Sequence, residues 1–194
     1  MCGIAGLIHR GKTVNIGSEM QGMLQALKHR GPDSTGYALY GEGSQGDYIL
    51  RFKVGENVKE GSSAANEEKT VYDERRKKVD QYIRELGADI LQDQQLTPYS
   101  FRYVIKYDKD LMEFSKKIES VEMTEILSIG KTLELIKDIG DASVVSKQYG
   151  LDKIKGTHAI GHSRMATESG VDIRSAHPFW GYPFSDVAVV HNGQ

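Results

Sequence analysis

The sequence predicts an α+β fold of short, antiparallel-type strands with a second α+β segment inserted into it. Three observations carry this. Short apolar, β-prone runs stand near both ends of the 194-residue chain, a helical spacing separates the first two of them, and the composition changes at about Gly55.

Met1-Cys2-Gly3-Ile4-Ala5-Gly6-Leu7-Ile8 is small and apolar, as suits a buried strand. Ser18 is the expected N-cap of a helix, because Met20, Met23, Leu24 and Leu27 then repeat at one-face spacing. Gly31 and Pro32 are expected to end it. The turn-rich loop His29 to Gly36 follows. Tyr37–Tyr40 and Tyr48–Phe52 read as two strands of a hairpin, joined by Gly41 to Asp47.

Residues 56–70 are polar, as in a linker or solvated loop. The charge run Asp73 to Lys78 leads into Val79, Tyr82, Ile83 and Leu86 and reads as the solvated face of a helix. Phe101–Tyr107 reads as a strand, Leu111–Ile118 as a helix and Glu125–Ile129 as a strand. Leu133, Leu135, Ile136 and Ile139 are expected on a helix, and Ala142–Tyr149 on another. This alternation marks 56–155 as an inserted α+β segment between 1–55 and 156–194. Thr157–Thr167 suggests a strand entering a loop. Val187–Gln194 is a strand ending in Asn-Gly, a dipeptide that normally turns and continues, so the chain is expected to be the front part of something longer.

Composition narrows the function. Lys+Arg is 25 against Asp+Glu 27, a net charge of −2, so no basic field suggests nucleic acid as the main partner. No apolar run is long enough to span a membrane. One cysteine excludes an intrachain disulfide and a multi-cysteine zinc site, and a reducing cytoplasm is the expected compartment.

That cysteine is Cys2. Methionine is commonly trimmed before a small residue, which would expose a cysteine α-amine. The amine titrates at about 7.7–8.0 and the thiol at about 8.5, so the amine could take the thiol proton and return it. Taken alone, Cys2 fits better as a small buried apolar residue. Arg164, among small residues, could clamp a carboxylate or make a structural ion pair. Asn192-Gly193 could supply the two donors of an oxyanion hole or form a plain turn. His177 could line a pocket or be structural.

Together, Met1-Cys2-Gly3-Ile4-Ala5-Gly6, His29-Arg30-Gly31-Pro32-Asp33-Ser34-Thr35-Gly36, Gly161-His162-Ser163-Arg164-Met165-Ala166-Thr167, Ala176-His177-Pro178-Phe179 and His191-Asn192-Gly193 resemble the class II glutamine amidotransferases, which are N-terminal nucleophile hydrolases. The resemblance covers 1–55 and 156–194. It implies a four-layer αββα sandwich of antiparallel sheets and hydrolysis of the glutamine side-chain amide. Cys2 would be the nucleophile, Asn192 and the Gly193 N–H the oxyanion hole. Arg164 would hold the glutamine α-carboxylate, with Thr167 and His177 near the same substrate. Arg30 would order the catalytic end.

The long segment 56–150 looks more like the glutamate-synthase-related amidotransferase subunits. The resemblance therefore implies an ammonia-accepting synthase subunit or domain as partner, and no metal or organic cofactor for this half-reaction. The alternative reading is an inactive amidotransferase-like module kept for assembly or regulation.

Overall fold

The computed structural model describes residues 2–44, 47–56, 65–165 and 173–192. These residues form a mixed α+β fold with antiparallel sheets. Across the first sheet the strands run β1 (Gly3–Ile8), β8 (Gly156–Arg164), β2 (Ser34–Gly41), β7 (Leu133–Ile139). Across the second they run β4 (Asp89–Gln95), β5 (Ser100–Lys106), β3 (Tyr48–Lys53), β6 (Glu125–Gly130). A two-stranded pair, β9 (Phe179–Trp180) and β10 (Ala188–Val189), completes the strands among the described residues.

Each sheet has its own helical cover. Ile16, Met20 and Leu24 of α1 (Ile16–Ala26) and Val145 and Tyr149 of α4 (Ala142–Tyr149) pack with Tyr37, Leu39 and Ile136 of the first sheet. Val79 and Ile83 of α2 (Ala65–Glu85) and Phe114 and Ile118 of α3 (Leu111–Glu119) pack with Leu50, Phe52, Phe101 and Tyr103 of the second. Burying such side chains, at about 1.5–3 kcal/mol each, is what orders the helices against the sheets. The corner between β6 and β7 joins the sheets: the Leu135 N–H donates to Ser128 Oγ at 3.1 Å.

Several sequence expectations change. Asn15, not Ser18, caps α1, because the Asn15 side chain accepts the Ser18 N–H at 3.1 Å. α1 ends at Ala26, and a 3₁₀ turn, Lys28–Arg30, carries the chain to Gly31. The expected hairpin of Tyr37–Tyr40 with Tyr48–Phe52 does not form. β2 pairs with β7 and β8, whereas β3 pairs with β5 and β6. The reason lies in the two cores: Tyr37 and Leu39 face one and Leu50 and Phe52 the other, so the chain crosses between sheets after Gly41.

Residues 133–139 form a strand rather than a helix. β7 is buried on both faces, and Glu134, Lys137 and Asp138 are buried beside its apolar residues, so the pattern mimics a helical period. β4 was not anticipated, because an exposed edge strand of Asp and Gln lacks the β-branched signal. The strand expected over 187–191 shortens to β10. Of the 56–155 segment, β4, β5 and β6 lie in the second sheet beside β3, and β7 lies in the first beside β2.

The segment 173–192 touches both sheets: Ile173 and Trp180 pack with the second core, and His177 lies against β2 of the first. Gly36 leaves room for it, because an added Cβ there would lie 2.0 Å from the His177 carbonyl oxygen. The Asp186 carboxylate, on a residue with φ 59°, accepts the N–H groups of Lys131, Thr132 and Leu133 at 3.0, 2.7 and 2.8 Å. Those bonds tie this segment to the β6–β7 turn.

Candidate active site

The strand register decides what meets Cys2. Gly3 pairs with Ser163 and Ser34 with Arg164, so the start of β1, the start of β2 and the end of β8 share one edge of the sheet. Cys2 is half-buried there, its Sγ 4.0 Å from the Met165 carbonyl oxygen. Arg164 is the last residue of β8 and is also half-buried.

Asn192 reaches the same edge from the other end of the chain. Its Nδ2 donates to the Cys2 carbonyl at 3.2 Å, and its Oδ1 accepts from His162 Nε2 at 2.9 Å. His162 must then carry its proton on Nε2. Burial lowers the His162 pKa, and the nearby Arg164 charge adds to this, against raising contributions from Asn192 and His191. The ring is therefore neutral at pH 7, and the pair fixes which way the Asn192 carboxamide points.

His177 stands edge-on to His162, with ring centroids 4.7 Å apart, and to Phe179 at 4.5 Å. Burial is the main cause that brings its pKa down to about 4, helped by His162, Lys137, His191 and Arg164. His177 is thus a neutral wall with hydrogen-bonding capacity, not a cation.

Arg30 belongs to the 3₁₀ turn and is half-buried. The next residue, Gly31, lies against the backbone of Arg164, where an added Cβ would come within 2.5 Å of its carbonyl carbon. The Asp33 N–H donates to the Arg164 carbonyl at 3.1 Å. The His29–Gly36 loop thereby braces the end of β8.

Of the residues expected from sequence, Cys2, Arg164, Asn192, His177 and Arg30 lie around this one edge. Thr167 and Gly193 lie outside the described residues. Two further residues belong to the neighbourhood. His162 had no role in the sequence reading, yet strand alternation from Arg164 puts it on the same face of β8. Lys137 is buried, ion-paired with Glu125 at 3.0 Å and 4.9 Å from the Phe179 ring centroid. No sequence signal separates it from a surface lysine.

A thiol, a carboxamide N–H donor and a guanidinium at one strand edge can attack a carbonyl, hold the resulting oxyanion and bind a carboxylate. Among the described residues no group of three His, Cys, Asp or Glu side chains could hold a metal ion. No helix among them is long and apolar enough to cross a membrane.

No family model matches the chain. Over its whole length the chain is 36% identical to a protein of Methanothermobacter thermautotrophicus named "Putative glutamine amidotransferase", and covers 61% of it. It is 28% identical to the glutamine amidotransferase-like protein GlxB of Rhizobium meliloti, again over its whole length, and covers 58% of that protein. The chain thus spans about three-fifths of the length of these curated relatives. A stretch of 45% of the chain is 34% identical to a glutamine–fructose-6-phosphate aminotransferase of Methanococcus maripaludis, of which it covers 15%.

Proposed function

We propose that this chain carries the glutamine-hydrolysing site of a class II glutamine amidotransferase, with Cys2 as nucleophile once Met1 has been removed. The observation that supports this best is the meeting of Cys2 and Asn192, from opposite ends of the chain, through the 3.2 Å contact beside Arg164. The names of the full-length relatives point to the same chemistry. In this reading the two sheets and their helical covers form the four-layer αββα sandwich of the N-terminal nucleophile hydrolases.

The α-amine of Cys2 takes the thiol proton, and the thiolate attacks the side-chain carbonyl carbon of glutamine. The oxyanion is held by Asn192 Nδ2 and the Gly193 N–H. Asn192 is aimed by His162, whose neutral Nε2–H occupies its carbonyl oxygen. Arg164 pairs with the substrate α-carboxylate, with Thr167 and His177 beside the same substrate, and Arg30 orders the loop behind Arg164. The amine returns its proton to the leaving nitrogen, ammonia departs, and water cleaves the γ-glutamyl thioester to glutamate and free thiol. The ammonia passes to a synthase subunit or domain of glutamate-synthase type. Any redox group needed for that step belongs to the partner.

A diazo-ketone analogue of glutamine tests the reading directly. Attack by sulfur expels N₂ and leaves a stable thioether. Intact-mass measurement of the purified chain is expected to find Met1 absent and a single adduct, which peptide mapping assigns to Cys2. Retained Met1, or no adduct, overturns the proposal and favours a non-catalytic assembly module.

A further inference from the structure

At the opposite edge of the first sheet lies a cavity of about 560 Å³, between the end of β2, the last turn of α4 and the β4–β5 pair. It is distinct from the Cys2 edge. Ser34, opposite Arg164, and Gly41, opposite Gly156, mark the two ends of β2. Seven residues of strand separate them by roughly 23 Å.

The cavity walls are cationic, although the chain as a whole is not. Arg51, Arg102, Lys147, Lys153 and Lys155 line it against the carboxylates of Glu42 and Glu134. Glu134 receives two guanidiniums: Arg51 Nε donates to it at 2.8 Å, and Arg102 Nε and Nη2 at 2.8 and 3.1 Å. One buried carboxylate therefore neutralises only one of two arginines. Arg51 is 3% exposed, and among the described residues its Nη1 is buried without a hydrogen-bond partner. Buried donors are ordinarily satisfied, so this one lacks an acceptor. Lys147, Lys153 and Lys155 are exposed, and none makes an ion pair among the described residues. Lys147 at the end of α4 also suits the helix dipole, but Lys153 and Lys155 lie beyond that helix.

We propose that this cavity binds a small multivalent oxyanion, a phosphate-bearing or polycarboxylate metabolite, through the three lysines at its mouth and the Arg51–Arg102 pair at its wall. The volume is in the range of small-molecule sites, about 300–1,000 Å³. Several cations around one open cavity favour two or more negative charges over a single carboxylate, because each added charge meets its own donor. The site is separate from the glutamine reading above and stands without it.

Calorimetric titration of the full chain with pyrophosphate and, separately, citrate tests the proposal and distinguishes the two sources. Saturable one-to-one binding of either supports it, and the tighter probe identifies the class. A Lys147→Gln, Lys153→Gln, Lys155→Gln triple variant is expected to weaken binding by about tenfold or more. A charge-matched triple at Lys69, Lys106 and Lys116 is expected to leave it within about twofold. No saturable binding at millimolar probe, or equal loss in both triples, overturns the proposal. All six lysines in these variants are exposed, so both proteins are expected to fold, and circular dichroism of each checks this.

Discussion

A Cys2→Ala chain is expected to release glutamate from glutamine at least about a thousandfold more slowly than the processed wild type, because a nucleophile has no substitute once removed. The fold should be unaffected. Cys2 lies outside both hydrophobic cores, and among the described residues its sulfur makes the long contact to the Met165 carbonyl. Unchanged urea midpoints in the two proteins would therefore separate loss of chemistry from loss of structure. Asn192→Ala gives the companion measurement: removing one oxyanion donor lowers kcat by about 10²–10³-fold, with KM less affected. Equal glutaminase rates in wild type and Cys2→Ala would end the claim that this sulfur is the nucleophile.

Glu134→Ala is expected to destabilise the chain by about 3–5 kcal/mol, read as a lowered urea midpoint, since it strands the charge of Arg51 in a buried position. Burial alone would raise the Glu134 pKa. The attraction of Arg51 and Arg102 and their hydrogen bonds outweigh it and bring the value down from 4.5 to about 2. Burial also lowers Arg51, against the pull of Glu134 and with the repulsion of Arg102, but an arginine begins so far above neutrality that it stays charged.

The sign follows from the depressed carboxylate. Its contribution is fully present above about pH 4.5 and is lost as pH falls toward about 2. Wild type and variant stabilities should converge across that window. Glu134→Gln keeps a hydrogen-bond acceptor and should fall between them. An unchanged midpoint in Glu134→Ala would mean that the two arginines find other compensation.

Much of the fold was legible where packing follows periodicity. β1, α3, β6, α4 and β8 came from the patterning of apolar and small residues. Reading failed where burial and polarity part company. β7 hides Glu134, Lys137 and Asp138 among its apolar residues, each held by partners on other elements. Asp138, for instance, accepts from the hydroxyls of Tyr99 and Tyr149 at 2.6 and 2.7 Å. β4 fails in the opposite sense, being a strand with little to bury.

For the candidate site, the motif residues Cys2, Arg164 and Asn192 stood out by type. The contribution of His162 did not, because it depends on a partner 30 positions away. The cationic cavity was invisible for the same reason: Arg51 and Arg102 become neighbours only through the pairing of β3 with β5, and Lys153 reaches the same cavity from beyond α4.

The register of β1 has a consequence for how the molecule is made. Among the described residues this strand sits at the sheet border and pairs with β8, from Ile8–His158 to Gly3–Ser163. β1 must therefore wait for a strand far along the chain, and closing so long a loop is entropically the slowest kind of pairing. Pulsed hydrogen exchange during refolding should find the amides of Gly3–Ile8 protected no earlier than those of β8. The strand end that carries the sulfur would then be in place only once β8 has joined the sheet.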